Sequence, residues 1–214
     1  MPPVRIPSGD RPLEYGVPGH PLVVVVHDWY GRLPGLADYG AALAEQGFHV
    51  LVPDFYNGWA TDDEQEAEAL LDKLELLPSI DAIEALVQRA RSEGTRRVAV
   101  VGFSMGGWLA LSHATGGTVD AVVAYYATLG EQEHRIVPCP VQLHFAEDDA
   151  WEVNGDPDSF VARLEDDGTT TVRYDYPGTG HSFANASIPA KFNATAAALA
   201  FARTASFLDR QLAG

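Results

Sequence analysis

Arg97-Val-Ala-Val-Val-Gly-Phe-Ser-Met-Gly-Gly107 runs a β-branched segment, read as a strand over Arg97 to Val101, straight into Gly102-x-Ser104-x-Gly106. A short helical stretch then continues to about Thr115. A strand that becomes a helix through this pattern must turn sharply, and the serine at the turn takes a strained backbone angle. The two glycines have a steric purpose, because a Cβ at 102 or 106 would meet the neighbouring strand or helix. The strain lifts the Ser104 hydroxyl, and the amides opening the helix, Met105 N–H first, face any oxygen that gains charge beside it. The same five residues also occur in ordinary glycine-rich turns, so the rest of the chain has to supply partners.

Working outward, Leu22-Val-Val-Val-Val26 follows Pro-Gly and precedes polar residues, the pattern of a strand buried on both faces. Leu33, Leu36, Gly40 and Leu43 recur at helical spacing until Gly47 ends the pattern, and Phe48 to Val52 begins another strand. Thr61 with Glu64 reads as a capping box before an amphipathic helix carrying Leu70, Leu71, Leu74 and Leu77. Pro78 is expected to break that helix, and Ile80, Ile83, Val87 and Ala90 mark a second one that Gly94 ends. Val119 to Tyr126, Val141 to Phe145 and Thr170 to Tyr176 read as further strands. Helices are expected around Phe160 to Leu164 and from Phe201 to Leu212. Strands alternating with helices imply an α/β fold with a mostly parallel central sheet and helices on both faces. The expectation is one domain over residues 1–214, with 1–20 as a leading arm or hairpin.

Composition narrows the function classes. Thirty acidic against fourteen basic residues give a formal charge of −16, which repels nucleic acid and anionic membrane surfaces and favours neutral small molecules. Cys139 is the only cysteine, so no internal disulfide forms; between Pro138 and Pro140 it reads as a small buried hydrophobe. The first twelve residues carry charges and prolines without an apolar stretch, and Leu22 to Val26 is too short to cross a bilayer. The expected location is cytoplasmic. A monomer is compatible with all of this, and the oligomeric state stays open.

Ligands of parallel sheets bind beyond the carboxyl ends of the strands, which directs attention to His27-Asp28-Trp29, Ser104, Asp148-Asp149 and His181. A serine hydroxyl becomes a nucleophile when a base takes its proton and a carboxylate orients that base. In this context they follow in the order Ser, Asp, His. Of the seven histidines, His181 alone follows the last strand on a glycine-flanked loop. His113 falls on a helix, His49 and His144 in strands, and His20 and His134 before strands. Spacing leaves Asp148 and Asp149 equivalent as the acid. Trp29, after the valine strand, offers a backbone N–H as second oxyanion donor, and its indole either lines a pocket or packs over the core. Asp28 could hold a histidine, shape the turn or cap the next one. Trp59, Tyr125, Tyr126 and Phe183 are candidates for an apolar pocket. No H-x-x-x-H or C-x-x-C spacing points to a metal, and no glycine-rich phosphate turn points to a dinucleotide.

These residues resemble the dienelactone hydrolase family of the α/β-hydrolases from about Leu22 to Phe183. The likeness rests on Val26-His-Asp-Trp-Tyr-Gly31, Pro53-Asp-Phe-Tyr56, Gly102-Phe-Ser-Met-Gly-Gly107, Tyr125-Tyr126, Phe145-Ala-Glu-Asp-Asp149 and Gly180-His-Ser-Phe183. The resemblance implies the α/β-hydrolase fold, hydrolysis of lactones or small esters without a cofactor, and Asp149 as the acid partner of His181. Three positions depart from the family pattern. Ser104 stands where the namesake enzymes have cysteine, and Asp28 where they have glutamate. Asn185 stands where one of the arginines that hold the substrate carboxylate is expected, and Thr61 to Asp72 carries no arginine either. An amide cannot replace a bidentate guanidinium, so neutral esters or lactones are expected rather than dienelactone itself. A thioesterase or peptidase on the same three residues is the nearest alternative, and a non-catalytic binding module the alternative from another class.

Overall fold

The computed structural model describes residues 4–5, 11–149 and 156–213. Seven strands form the main sheet in the order β2(Leu13–Tyr15), β4(His49–Val52), β3(Leu22–Val26), β6(Val98–Phe103), β7(Ala121–Tyr125), β8(Val141–Asp148) and β9(Thr171–Gly180). Only β2 runs antiparallel to its neighbour. A separate two-stranded ribbon joins β1(Val4–Arg5) to β5(Trp59–Ala60). The helices are α1(Pro34–Glu45), α2(Glu64–Leu71), α3(Leu76–Ser92), α4(Met105–Ala114), α5(Pro157–Asp166) and α6(Ala194–Leu212).

The period of two along each strand divides the core. Leu22, Val24 and Val26 pack with Val98 and Val100 against α3, α4 and α5, through Ile83, Val87, Leu109, Phe160 and Leu164. Val23 and Val25 pack with Ala99 and Val101 against α1 and α6, through Leu43, Phe207, Leu208 and Leu212. Both faces of β3 and β6 are therefore dry, which is why their sequence reads as a continuous β-branched run rather than an alternation. Each fully buried valine or leucine contributes about 1.5–3 kcal/mol of transfer free energy, so this sheet centre is the rigid platform on which the strand ends are fixed.

Several boundaries differ from the sequence reading, each for a local reason. The chain enters α2 through Asp63, whose carboxylate accepts from Glu66 N–H at 3.0 Å, and not through Thr61. Thr61 Oγ1 instead accepts from Asp63 N–H at 3.1 Å, ordering the residue that caps. Pro78 does not break a helix. It lies in the first turn of α3, where its missing N–H has no intrahelical carbonyl to lose, and the interruption falls between Leu71 and Leu76. β8 and β9 run three and four residues beyond their apolar cores, carried by pairing up to Asp148 with Gly180 across an irregularity after Ala146. Residues 1–3 and 6–10 of the expected arm lie outside the described residues; within it, β2 pairs with β4 instead of closing a hairpin.

Candidate active site

Ser104 is the hinge between β6 and α4, with φ 52° and ψ −118°, a left-handed conformation unusual for a residue with a Cβ. Two backbone bonds hold it there: its N–H donates to Tyr125 C=O at 2.9 Å, and its C=O accepts from Trp108 N–H at 2.9 Å. The turn closes so tightly that a Cβ on Gly102 would fall on the Gly106 carbonyl, and one on Gly106 on the carbonyls of Val26 and His27. Both positions are therefore confined to glycine by close approach.

The other strand ends deliver the partners. Ser104 Oγ and His181 Nε2 are 2.7 Å apart. His181 follows β9, and its Nδ1 lies 2.7 and 2.8 Å from the two carboxylate oxygens of Asp149, which follows β8. The Asp149 side chain is 2% exposed and that of His181 10%. Asp148, left equivalent by spacing, is exposed and ends β8. A hydroxyl bonded to an imidazole whose other nitrogen faces a buried carboxylate can lose its proton as it attacks a carbonyl, and the carboxylate balances the imidazolium that results.

Met105 opens α4, so its amide is the first of the helix N-terminus beside Ser104. Trp29 follows the end of β3. Its indole is 7% exposed and packs edge-on to Tyr30, with ring centres 5.3 Å apart, in a cluster with Leu33, Ala60 and Ile188. Of the two readings of that ring, the structure has it covering the core beside the site.

Asp28 has a definite set of partners. Its Oδ1 accepts from Tyr30 N–H at 3.0 Å, capping the turn, and its Oδ2 accepts from Asn185 Nδ2 at 2.8 Å. Burial to 4% exposure raises its pKa to about 6 despite both bonds, with His181 and Lys191 pulling the other way. Asp28 and Asn185 line a small cleft with Leu36, Tyr39, Phe103 and Ala184. The neighbouring cation, Lys191, is bound by Glu64 at 2.5 Å.

The aromatic candidates separate. The Tyr126 ring is centred 4.9 Å from His181 and 5.5 Å from Phe183, so it packs on the imidazole, but both rings are buried in the core on the α6 side and neither lines the cleft. Tyr125 is fully buried in the same core, where its hydroxyl meets Thr204 Oγ1 at 2.8 Å and its ring stacks on His144. β7 ends at Tyr125, and Tyr126 leaves the strand with φ +40°, so the two rings are not divided between the faces of the sheet as successive strand residues are. Trp59 is 40% exposed on β5 and is not among the residues that line the cleft.

Sequence reasoning missed Tyr39 and Ser182. Tyr39 reaches the cleft from α1, hidden within an ordinary amphipathic pattern. Ser182, next to His181, is buried with φ +67°, and its Oγ has no hydrogen-bond partner among the described residues. Ser104, Tyr126 and Ser182 are three of the four described non-glycine residues with positive φ; the first two contact the His181 imidazole and the third follows His181 in the chain. Backbone strain of this kind concentrates at functional sites. Among the described residues no cluster of three potential ligands could hold a metal ion, and no helix is long and apolar enough to cross a membrane.

A serine on a strand-to-helix elbow, with a histidine and an aspartate from later strand ends of a mostly parallel sheet, defines the α/β-hydrolase class. Within that class, the sequence profile of the dienelactone hydrolase family matches residues 14–212, and the chain belongs to this family of carboxylic ester hydrolases. It is similar to the carboxymethylenebutenolidase of Pseudomonas sp. strain P51, at 30% identity over 206 residues, covering 89% of this chain and 84% of that one. Carboxymethylenebutenolidase 1 of Cupriavidus pinatubonensis is 28% identical over 202 residues, covering 88% and 85%. In fold it resembles the dienelactone hydrolase-like promiscuous phosphotriesterase P91 from metagenomic libraries, with a TM-score of 0.74 at 16% identity over 98% of this chain and 97% of that one.

Proposed function

We propose that this hydrolase cleaves small neutral carboxylic esters or lactones through an acyl-enzyme on Ser104. His181 takes the serine proton as Ser104 Oγ attacks the carbonyl carbon, while Asp149 orients the imidazole and balances its charge. The Met105 and Trp29 amides receive the oxyanion. The intermediate collapses with the proton passing from His181 to the departing alkoxide, and His181 then draws a proton from water to release the acid. The observation that carries the reading is the continuous line Ser104 Oγ, His181, Asp149, with every link between 2.7 and 2.8 Å. The neutral substrate class is supported by Asn185 and Asp28 in the cleft, which offer an amide and a carboxyl where an anionic substrate needs a cation. The net charge of −16 works in the same direction.

The test is covalent. An alkyl fluorophosphonate should add one phosphonyl group to Ser104 with loss of fluoride, and His181→Ala should suppress it. Folded protein that stays unlabelled overturns the nucleophile assignment. Neutral aryl acetates should outpace carboxylate-bearing lactones in kcat/KM, and the reverse order overturns the substrate class.

A further inference from the structure

His27 directly follows β3 without joining the triad, yet it is fully buried and bonded at both ring nitrogens. Its Nε2 accepts from Phe55 N–H at 3.1 Å, which places the ring proton on Nδ1. That Nδ1–H donates to the Asp28 carbonyl at 2.7 Å. Phe55 and Tyr56 hold the imidazole between rings centred 5.4 and 4.9 Å away. Burial lowers the His27 pKa, so the neutral ring that both bonds require persists.

The Asp28 carbonyl and the Trp29 N–H belong to one planar trans peptide and point in opposite directions. Whatever fixes the carbonyl therefore aims the N–H. Gly31 N–H is a second donor to the same carbonyl, at 3.1 Å, and comes from the turn that Asp28 itself caps. A donor on the carbonyl also polarises the peptide and strengthens its N–H as a donor in turn.

We propose that His27 is a positioning residue for the oxyanion site, locking the Asp28–Trp29 peptide so that the Trp29 N–H is aimed before the carbonyl oxygen of the substrate becomes charged. The inference rests on the oxyanion role given to Trp29 above. Preorganised donors act without reorganisation in the transition state, so the effect belongs in kcat and not in ground-state binding.

Two substitutions divide the two bonds. The amide of His27→Asn can reach the place of Nδ1 and keep the donation to Asp28. The longer His27→Gln can reach the place of Nε2 and keep the bond from Phe55. Each loses one buried hydrogen bond, so their unfolding midpoints in urea should fall together. His27→Asn should stay within about threefold of the wild-type kcat, whereas His27→Gln should lose ~10–100-fold in kcat at nearly constant KM. An aryl trifluoromethyl ketone should lose affinity for His27→Gln by a similar factor. In its adduct Ser104 Oγ bonds the carbonyl carbon, the serine proton moves to His181, and the resulting alkoxide depends on the oxyanion donors. Wild-type kcat and ketone affinity in His27→Gln would overturn the inference alone, as would equal catalytic losses in both variants. A wild-type protein inert towards esters would overturn the site reading and the inference with it.

Discussion

Asn185 Nδ2 donates to Asp28 Oδ2 at 2.8 Å, and Asn185 Oδ1 accepts from Ser187 N–H at 2.9 Å, so the amide is held in one orientation with its donor end on the carboxyl. The pair joins the loop after the first central strand to the loop after His181. It neutralises nothing, because an amide carries no charge. The carboxyl is thus buried with hydrogen bonds but no countercharge beyond the distant pull of His181 and Lys191, which is why burial prevails and its pKa rises.

Replacing Asn185 with arginine should convert this contact into an ion pair and add cationic character to the cleft. The ratio of kcat/KM for a carboxylate-bearing lactone over a neutral ester is expected to rise by roughly tenfold, the scale of one partly screened charge contact. Steady-state kinetics on both substrates with N185R checks it; an unchanged ratio would show that this cleft does not set substrate charge.

Asp28 should also leave a mark on stability. With a folded pKa of about 6 against 3.8 for the free group, the folded state holds a proton that the unfolded state has lost between those values. Its contribution is fully present below pH 3.8 and disappears as pH rises through 6, on the order of 3 kcal/mol in total. Asp28→Asn removes the titration but sets its own NH2 against that of Asn185, so the comparison is one of slopes. Urea unfolding at a series of pH values should show wild-type stability falling relative to D28N between pH 4 and 6. Parallel curves would place the Asp28 pKa near its ordinary value.

The two adjacent aspartates differ in everything but type. Asp149→Asn should lower kcat by about 10³–10⁴-fold, as the loss of an orienting carboxylate does elsewhere, and Asp148→Asn by less than about twofold. Activity on an aryl acetate measures both. Equal losses would mean that the exposed carboxylate takes part.

What could be read from the sequence follows from how local each cause is. Ser104 was legible because its elbow needs glycines at fixed offsets, and β3 and β6 because strands buried on both faces must be continuously apolar. The end of α2 and the start of α3 were not, since leucines at 70, 71, 74, 76 and 77 continue one helical pattern across a break at which Leu71 packs on the Trp29 cluster and Leu74 on the main core; Leu77 is left 74% exposed. The roles of Tyr125 and Tyr126 were not separable by type. Both rings are buried in the core on the α6 side, Tyr126 packed on the His181 imidazole and Tyr125 stacked on His144. Nor does any spacing rule connect Asp28 with Asn185, which meet across 157 positions of chain.

His144 should be the acid-sensitive point of the core. It is fully buried between β7 and β9, its Nδ1 2.7 Å from Tyr176 Oη and its Nε2 3.0 Å from Thr204 Oγ1, and burial lowers its pKa to about 3 with a smaller push from Arg203. The unfolded state therefore binds a proton at a pH where the folded state does not, and stability is lost as pH falls from 6.5 towards 3. Between pH 4 and 6 this slope opposes that of Asp28, and the two single-proton terms largely cancel in the wild type. Removing one unmasks the other: His144→Gln should lose about 3 kcal/mol less than the wild type on going from pH 6.5 to 4, and D28N should become the more acid-sensitive protein. Urea unfolding of the three proteins across this range checks both directions at once. If H144Q keeps the wild-type slope, the buried imidazole takes up its proton without unfolding, and the Tyr176 hydroxyl at Nδ1 and the Gln142 amide and Thr204 hydroxyl at Nε2 must be turning to accept from it.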